Sequence, residues 1–339
     1  MKQTEIILSA AEIKAEASRL GFYACGIAPA DPIDSNHRQY FEEWLRQGAH
    51  GSMEYLANHI PLRFDPRELV PGTQSIVCVA LNYYPPEFMD DREGCLSWYA
   101  YGKDYHEVMK EKLRQFMTQI LSHIPEEQKA EIMPGRAFCD TAPVLERYWA
   151  WKAGLGWIGR NHQLIIPKAG STFFLGELFL TLPADSYDSP QKNRCGNCRK
   201  CIENCPTHAL TPEGFDARRC LSYLTIENRG EIPQWAATHM EPCFYGCDRC
   251  QTICPHLRFA RPTDEKSFHI RKELKHMTRR QWQQLSVEEY RELFRGSAVK
   301  RAKYEGLMRN IKSMTKQHHP EIQEEKNLNK DTAETEQTR

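Results

Sequence analysis

The sequence predicts an α+β protein. A mixed helix-and-strand domain spans 1–185, a cysteine-rich module 186–258 and a short helical extension 259–315, ahead of a polar tail at 316–339. Three observations predict it. Nine of the thirteen cysteines fall between Cys195 and Pro255. The residues before them mix amphipathic helical stretches with β-branched runs at irregular intervals, without the regular βαβ repeat. The residues after them keep helical periodicity until about Lys316, where Gln, Glu, Lys, Asn and Thr take over and disorder is expected.

At 339 residues the chain can hold two domains, or one with a large insert. Hydrophobic residues make up 40%, and 45 basic side chains balance 45 acidic ones. Zero net charge neither suggests nor excludes a nucleic-acid partner, since a local patch suffices for phosphate. No run approaches the roughly 20 apolar residues that span a bilayer, and Met1 to Phe22 is too acidic and interrupted for a signal or transit peptide. A soluble protein in a reducing cytoplasm, with no membrane partner, is expected.

In chain order, Ile6, Ala10, Ile13, Ala17 and Leu20 predict a helix over 4–20, stopped by Gly21. Phe22 to Ala28 reads as a strand, and a second helix starts near Asn36 and carries Tyr40, Phe41, Trp44 and Leu45. Ser75 to Leu81 is a buried strand by its β-branched content. A polar, aromatic loop from Tyr99 to His106 leads into an amphipathic helix over about 105–123. Phe138 to Pro143 reads as a strand ending in a polar turn, with Pro143 placed for the first turn of the next helix. That helix breaks at Gly154-Leu-Gly-Trp-Ile-Gly159, whose glycines suggest backbone pressed against something flat or bulky. The letters match G-x-G-x-x-G, but a helix precedes them and a strand (Gln163 to Pro167) follows, the reverse of a dinucleotide site. Phe173 to Leu182 is the last strand of the sheet. Helices are expected again at 281–294 and 298–314, the latter basic through Lys300, Arg301, Lys303, Arg309 and Lys312.

The cysteines form two runs. Cys195, Cys198, Cys201 and Cys205 make C-x2-C-x2-C-x3-C-P, Cys247, Cys250 and Cys254 make C-x2-C-x3-C-P, and Cys220 lies between them. Three thiolates so spaced bend round one iron–sulfur cube, and the fourth, before proline, reaches the neighbouring cube. On that logic Cys195, Cys198, Cys201 and Cys254 hold one [4Fe–4S] cluster. Cys205, Cys220, Cys247 and Cys250 hold the second, Cys220 replacing the missing first cysteine of the second run. So tight a knot disfavours disulfides, and zinc needs neither the third cysteine nor the prolines. Cys243 is expected to be a spare thiol. A ferredoxin-like module alone needs only a short chain, so here the clusters are expected to feed a redox site.

Five motifs occur in order over roughly residues 5–315. They are Arg63-x-Asp65-Pro66-Arg67, Tyr101-Gly-Lys-Asp-Tyr-His106, Asp140-Thr-Ala-Pro-Val-Leu-Glu-Arg147, Gly154-Leu-Gly-Trp-Ile-Gly-Arg-Asn161 and the cysteine runs. Together they resemble the epoxyqueuosine reductase family. The resemblance implies a cobalamin-dependent enzyme of the last step of queuosine biosynthesis, which removes the epoxide oxygen of epoxyqueuosine at the wobble position of tRNA for Asp, Asn, His or Tyr. It implies an α/β cobalamin-binding domain related to reductive dehalogenases, and base-off cobalamin with no histidine beneath the cobalt. The two clusters would pass single electrons to bring Co(II) to nucleophilic Co(I). The family's catalytic acid, the aspartate of D-[ST]-x-P, corresponds to Asp140.

The chemistry asks for such an acid, because epoxide opening leaves an alkoxide and general acid catalysis is worth about 10²–10⁴-fold. A carboxyl beside an apolar corrin should keep its proton near neutral pH. A helix N-cap role for Asp140 stays open beside this, as does a structural ion pair between Glu146 and Arg147. Corrin contacts are expected from Arg63, Lys103, Tyr101, Gly156 with its loop, Asn161 and His162; surface charge, a core tyrosine and a helix C-cap are the alternatives. Lys192, Arg194, Arg199, Lys200, Arg218, Arg219 and the basic helix 300–312 are candidates for RNA phosphates. An external electron donor, such as a flavodoxin or ferredoxin system, and a monomeric state are expected. Segments 296–301 and 306–310 resemble the entrance of a helical-repeat domain found in many members; the polar stretch after them implies a smaller tRNA footprint. The alternative reading is a dehalogenase-like corrinoid reductase acting on a small molecule.

Overall fold

The computed structural model describes residues 6–129 and 133–315; the expected polar tail lies outside them. The main sheet has four antiparallel strands in the order β1 (Ala24–Pro29), β2 (Ser75–Asn82), β7 (Phe173–Leu180), β4 (Arg136–Phe138). β2 is apolar from Ile76 to Leu81 because the sheet is covered on both faces. Val77, Val79 and Leu81 pack against helices Ala10–Arg19 and Tyr105–Ser122 through Ile13, Ala17, Met109, Leu113 and Phe116. Ile76, Cys78 and Ala80 face Trp149 and Ala150 of helix Glu146–Lys152. A hairpin of β5 (Trp157–Ile158) and β6 (Leu164–Ile165) stands where the glycine-rich loop was expected, confirming that no dinucleotide turn forms there.

The cysteine module docks back on the first domain. The Trp44 indole donates to the Phe215 carbonyl at 2.7 Å, the Ala217 amide to the Ala49 carbonyl at 2.9 Å, and the Ser52 amide to the Tyr223 hydroxyl at 2.8 Å. A parallel pair, β3 (Cys95–Leu96) and β8 (Cys243–Tyr245), joins the domains on the other side. It brings Cys95 and Cys243 to a Cα separation of 4.6 Å in a disulfide. Cys243 is therefore not a spare thiol.

Several boundaries differ from the expectation, each for a local reason. The first helix starts at Ala10, because Ser9 caps it and Leu8 bridges to Ala184 instead. Helix Glu146–Lys152 begins three residues past Pro143, with Leu145 as its cap, so Asp140 is not an N-cap. The single helix expected over 281–294 is two, Arg279–Gln284 and Val287–Leu293, because Thr278 with Gln281 and Ser286 with Glu289 each form a capping box. Together with helix Lys303–Thr315 these bury Trp282, Phe294, Leu307 and Ile311 against Phe244.

Candidate active site and cluster ligands

The eight assigned thiols are all free of disulfides, and their electrostatic contacts fall into two sets. Cys201 and Cys254 each feel Cys195 and Cys198, and Cys201 feels Cys254. Cys220 feels Cys205, while Cys247 and Cys250 feel Cys220 and Cys250 feels Cys247. Cys250 also feels Cys201, so the sets adjoin. Burial pushes Cys201, Cys220, Cys247, Cys250 and Cys254 up, Cys247 to about 12. Against that, backbone N–H groups point at sulfur: Ile202 at Cys201, Ser222 and Tyr223 at Cys220, Arg249 at Cys247, His256 and Leu257 at Cys254.

Half-buried thiols, four of them met by amide donors, suit metal-bound sulfur, since a metal deprotonates its thiols outright and hydrogen bonds to sulfur tune a cluster. Among the described residues no three His, Cys, Asp or Glu side chains are gathered about a point that could hold one metal ion. The corners of a cube spread their ligands more widely than a single tetrahedral ion does.

The second feature is a carboxyl cluster at the end of β4. Asp140 has φ +53°, a left-handed conformation that its short polar side chain tolerates. Its amide donates to Glu146 Oε1, and the Tyr105 hydroxyl donates to its Oδ2. Tyr105 is fixed by stacking on Phe174, ring centroids 4.3 Å apart and planes parallel to within 1°. His106 Nε2 lies 3.5 Å from the same Oδ2, and its Nδ1 lies 2.7 Å from Asp104 Oδ1. Asp104 also accepts the His106 amide at 3.0 Å as cap of helix Tyr105–Ser122. Burial opposes charge on His106, but hydrogen bonds to Asp104 and Asp140 outweigh it and lift the imidazole to about 9. Glu146 is pushed up to about 8, first by burial and then by the Asp140 charge. Glu177, paired with Phe138 across β7 and β4, is wholly buried; neither of its carboxyl oxygens has a hydrogen-bond partner, and burial holds its proton on.

Glu177 apart, this cluster meets solvent at Asp140 and Tyr55. The Asp140 side chain is 56% exposed, and Tyr55, within reach of its charge, is 46% exposed. Arg301 stands 5.7 Å over the Tyr55 ring. Arg147 donates to the His162 carbonyl, and the His162 ring stacks on Tyr40 at 6.0 Å and lies 5.6 Å from Phe215. Burial, then Arg147, lowers His162 to about 4, so the ring is neutral at pH 7. Asn161, beside His162, donates to the Cys250 carbonyl at 3.4 Å, which ties this neighbourhood to the second thiol set. Exposed Tyr40 and Tyr55, a neutral imidazole and an exposed acid suit a broad, flat, largely apolar group.

Other expected contacts fall elsewhere. Tyr101 is 2% exposed in the core, where its hydroxyl accepts the Met89 amide, so it is a core tyrosine. A Cβ on Gly156 would lie 2.1 Å from the Ile165 carbonyl oxygen: the hairpin demands that glycine, not a ligand. Arg63 is buried, donating to the carbonyls of Asn58 at 3.2 Å and Tyr55 at 2.7 Å, and so shapes the wall that presents Tyr55. The Asn161 amide is occupied by Cys250 and Gln163. Lys103 is exposed, with its amide tied to Ser267. Glu146 and Arg147 direct their hydrogen bonds to Asp140 and His162 rather than to each other. Tyr105 and His106 were missed, although they close the Tyr101–His106 motif; a capping aspartate two residues before a histidine was the available signal.

Two adjoining thiol sets beside a positioned acid suit an iron–sulfur redox enzyme. The family model described as epoxyqueuosine reductase QueG, DUF1730, matches residues 63–141, and the 4Fe-4S double cluster binding domain matches 194–256. An epoxyqueuosine reductase of Leadbetterella byssophila is 46% identical over 300 residues, 88% of this chain and 96% of its own length. One from Cellulophaga algicola is 43% identical over 300 residues, 88% and 95% of the two chains. The crystal structure of an epoxyqueuosine reductase with a tRNA-Tyr epoxyqueuosine-modified stem loop superposes with TM-score 0.79 at 27% identity, over 90% of this chain and 80% of that one. The Bacillus subtilis epoxyqueuosine reductase, with its aspartate-bearing catalytic loop swung out of the active site, superposes with TM-score 0.74 at 27% identity, with the same coverage. The chain belongs to the epoxyqueuosine reductase family.

Proposed function

We propose that this protein reduces epoxyqueuosine to queuosine at the wobble position of tRNA, with cobalamin between Asp140 and two [4Fe–4S] clusters. The observation that carries the reading is the placement of Asp140, bonded to Tyr105 and Glu146, in a neighbourhood that Asn161 ties to the second thiol set. Cobalamin, when bound, would supply a strongly reducing cobalt centre for cleaving the carbon–oxygen bond, with the neutral His162 ring, stacked on Tyr40, beside it. Cys195, Cys198, Cys201 and Cys254 would hold the outer cluster; Cys205, Cys220, Cys247 and Cys250 would hold the inner one. Asp140 protonates the epoxide oxygen as the bond opens. The Tyr105 hydroxyl holds the acid's side chain and Glu146 holds its backbone amide, which keeps the acid in one orientation.

The charge on the surface supports an RNA substrate and a protein electron donor. Lys192, Arg194, Arg199 and Lys200 are exposed beside the outer thiol set, and among the described residues none forms an ion pair. By contrast Arg218 pairs with Asp216, Arg219 donates to Thr207, Arg301 pairs with Glu227, and Arg309 donates to the carbonyls of Leu224, Asn228 and Gly230. The exposed set suits tRNA phosphates, and a flavodoxin or ferredoxin system would deliver electrons at the outer cluster. Among the described residues no helix is long and apolar enough to cross a membrane; a tRNA substrate supports a cytoplasmic location, and we infer a monomeric state. The test is anaerobic turnover of epoxyqueuosine tRNA with reconstituted clusters, cobalamin and a strong reductant. Loss of one oxygen from the nucleoside supports the reading, whereas no conversion by a fully loaded enzyme overturns it.

A further inference from the structure

Taking the oxygen off an epoxide to leave an alkene consumes two electrons and two protons and releases water. The clusters account for the electrons, but a single carboxyl accounts for one proton only. Asp140 must therefore be reloaded within each turnover, at a time when substrate lies over it.

One short route leads from solvent to Asp140. His106 Nε2 lies 3.5 Å from Asp140 Oδ2, and on the opposite side of the ring Nδ1 lies 2.7 Å from Asp104 Oδ1. The ring is held by stacking on Tyr105 at 4.1 Å, and the His106 and Asp104 side chains keep 28% and 27% exposure, so the far end of the chain meets solvent. The charged and titratable groups that face this assembly are Asp104, Tyr105 and Lys110 at and on its own helix, Asp140 and Glu146 across from it, and Tyr55, Tyr99, Tyr245 and Arg301 from the surrounding elements. Glu146 reaches Asp140 as well, but its contact is with the backbone amide, not with the acid oxygen.

We propose that His106 is the positioning residue that stores the second proton of the reaction and passes it to Asp140. Asp140 gives its first proton to the epoxide oxygen as the first carbon–oxygen bond breaks. The His106 imidazolium then transfers its Nε2 proton to the Asp140 carboxylate. Asp140 protonates the same oxygen again as the second carbon–oxygen bond breaks and water leaves, and solvent reprotonates the ring. Asp104 keeps the ring oriented and favours its charged form.

This inference rests on the reductase reading, and the experiment separates the two. Long-range proton–nitrogen NMR on the full chain follows the histidines against pH, with the His106 signal assigned by its loss in His106→Gln. Turnover against pH is measured on the same wild type, on His106→Gln and on Asp104→Asn, which keeps a helix-capping side chain. In wild type the His106 ring and the alkaline limb of kcat should titrate together. In Asp104→Asn both should move down together by a pH unit or more. In His106→Gln, kcat at pH 7 should fall at least about tenfold and recover in proportion to added imidazolium buffer, with iron content and cobalamin binding unchanged. An alkaline limb that stays put while the ring titration moves overturns the proposal, as does a His106→Gln rate that is unchanged or is lost without buffer rescue. A wild type that binds cobalamin and eight irons yet never converts the tRNA overturns the reductase reading itself.

Discussion

Asp140 owes its position to a left-handed backbone and to bonds from its own amide and the Tyr105 hydroxyl, not to helix capping. Asp140→Asn should keep those contacts and lose the proton, so kcat should fall by about 10²–10⁴-fold; nucleoside mass spectrometry with an iron and cobalamin assay on the same sample checks it. Glu177 makes a separate prediction. Its carboxyl is buried without a partner, so its folded value lies well above the ordinary 4.5, and the folded state holds a proton that the unfolded chain releases. Its stability is whole below 4.5 and is lost as pH rises from there, a window that Glu146 shares up to about 8. Glu177→Gln should therefore melt increasingly above wild type as pH is raised from about 5 to about 9, read by calorimetry. Asp140 was legible because D-T-A-P is a recognisable string. Glu177 was not, because an acidic residue within an apolar strand reads as an outward-facing position until both faces of the sheet are seen to be covered.

The elements were legible to the degree that their signals were local. β2 and β7 stood out as apolar runs, and helix Tyr105–Ser122 by its periodicity. The broken helix at Leu285 was hidden, because a capping serine inside a helical period looks like any polar face residue. The Cys95–Cys243 bridge was hidden too, since only the pairing of β3 with β8 brings residues 148 positions apart together. The β5–β6 hairpin makes its own prediction. Gly156→Ala forces a Cβ against the Ile165 backbone carbonyl, which cannot move aside as a side chain could. The loss should be about 1–3 kcal/mol or more by denaturant unfolding, with the hairpin's neighbour His162 displaced. The interleaved thiols give another prediction. Removing Cys205 and Cys220 together should leave four irons, whereas removing Cys195 and Cys205 together should leave neither cluster intact; iron analysis decides.

Across the whole molecule, the charge that matters is local. The formal net charge is zero, yet Lys192, Arg194, Arg199 and Lys200 project beside the outer thiols while Arg309 is bonded inward to carbonyls. Exchanging Arg199 and Lys200 for alanine should weaken tRNA binding and lower the slope of log affinity against log salt by about 0.7–0.9 per residue. Arg309→Ala should leave that slope unchanged while reducing stability, measured by filter binding across salt concentrations and by thermal melting.

The sheet order has a bearing on how the chain is made. β7 is the last of the four main strands to leave the ribosome, yet it is the one inserted between β2 and β4. Until residue 180 has emerged, β2 has no partner on one side and presents two apolar faces to the cell. The nascent chain therefore carries a long sticky interval, and translation pauses or chaperone capture between residues 82 and 180 should govern its yield more than the stability of the finished fold.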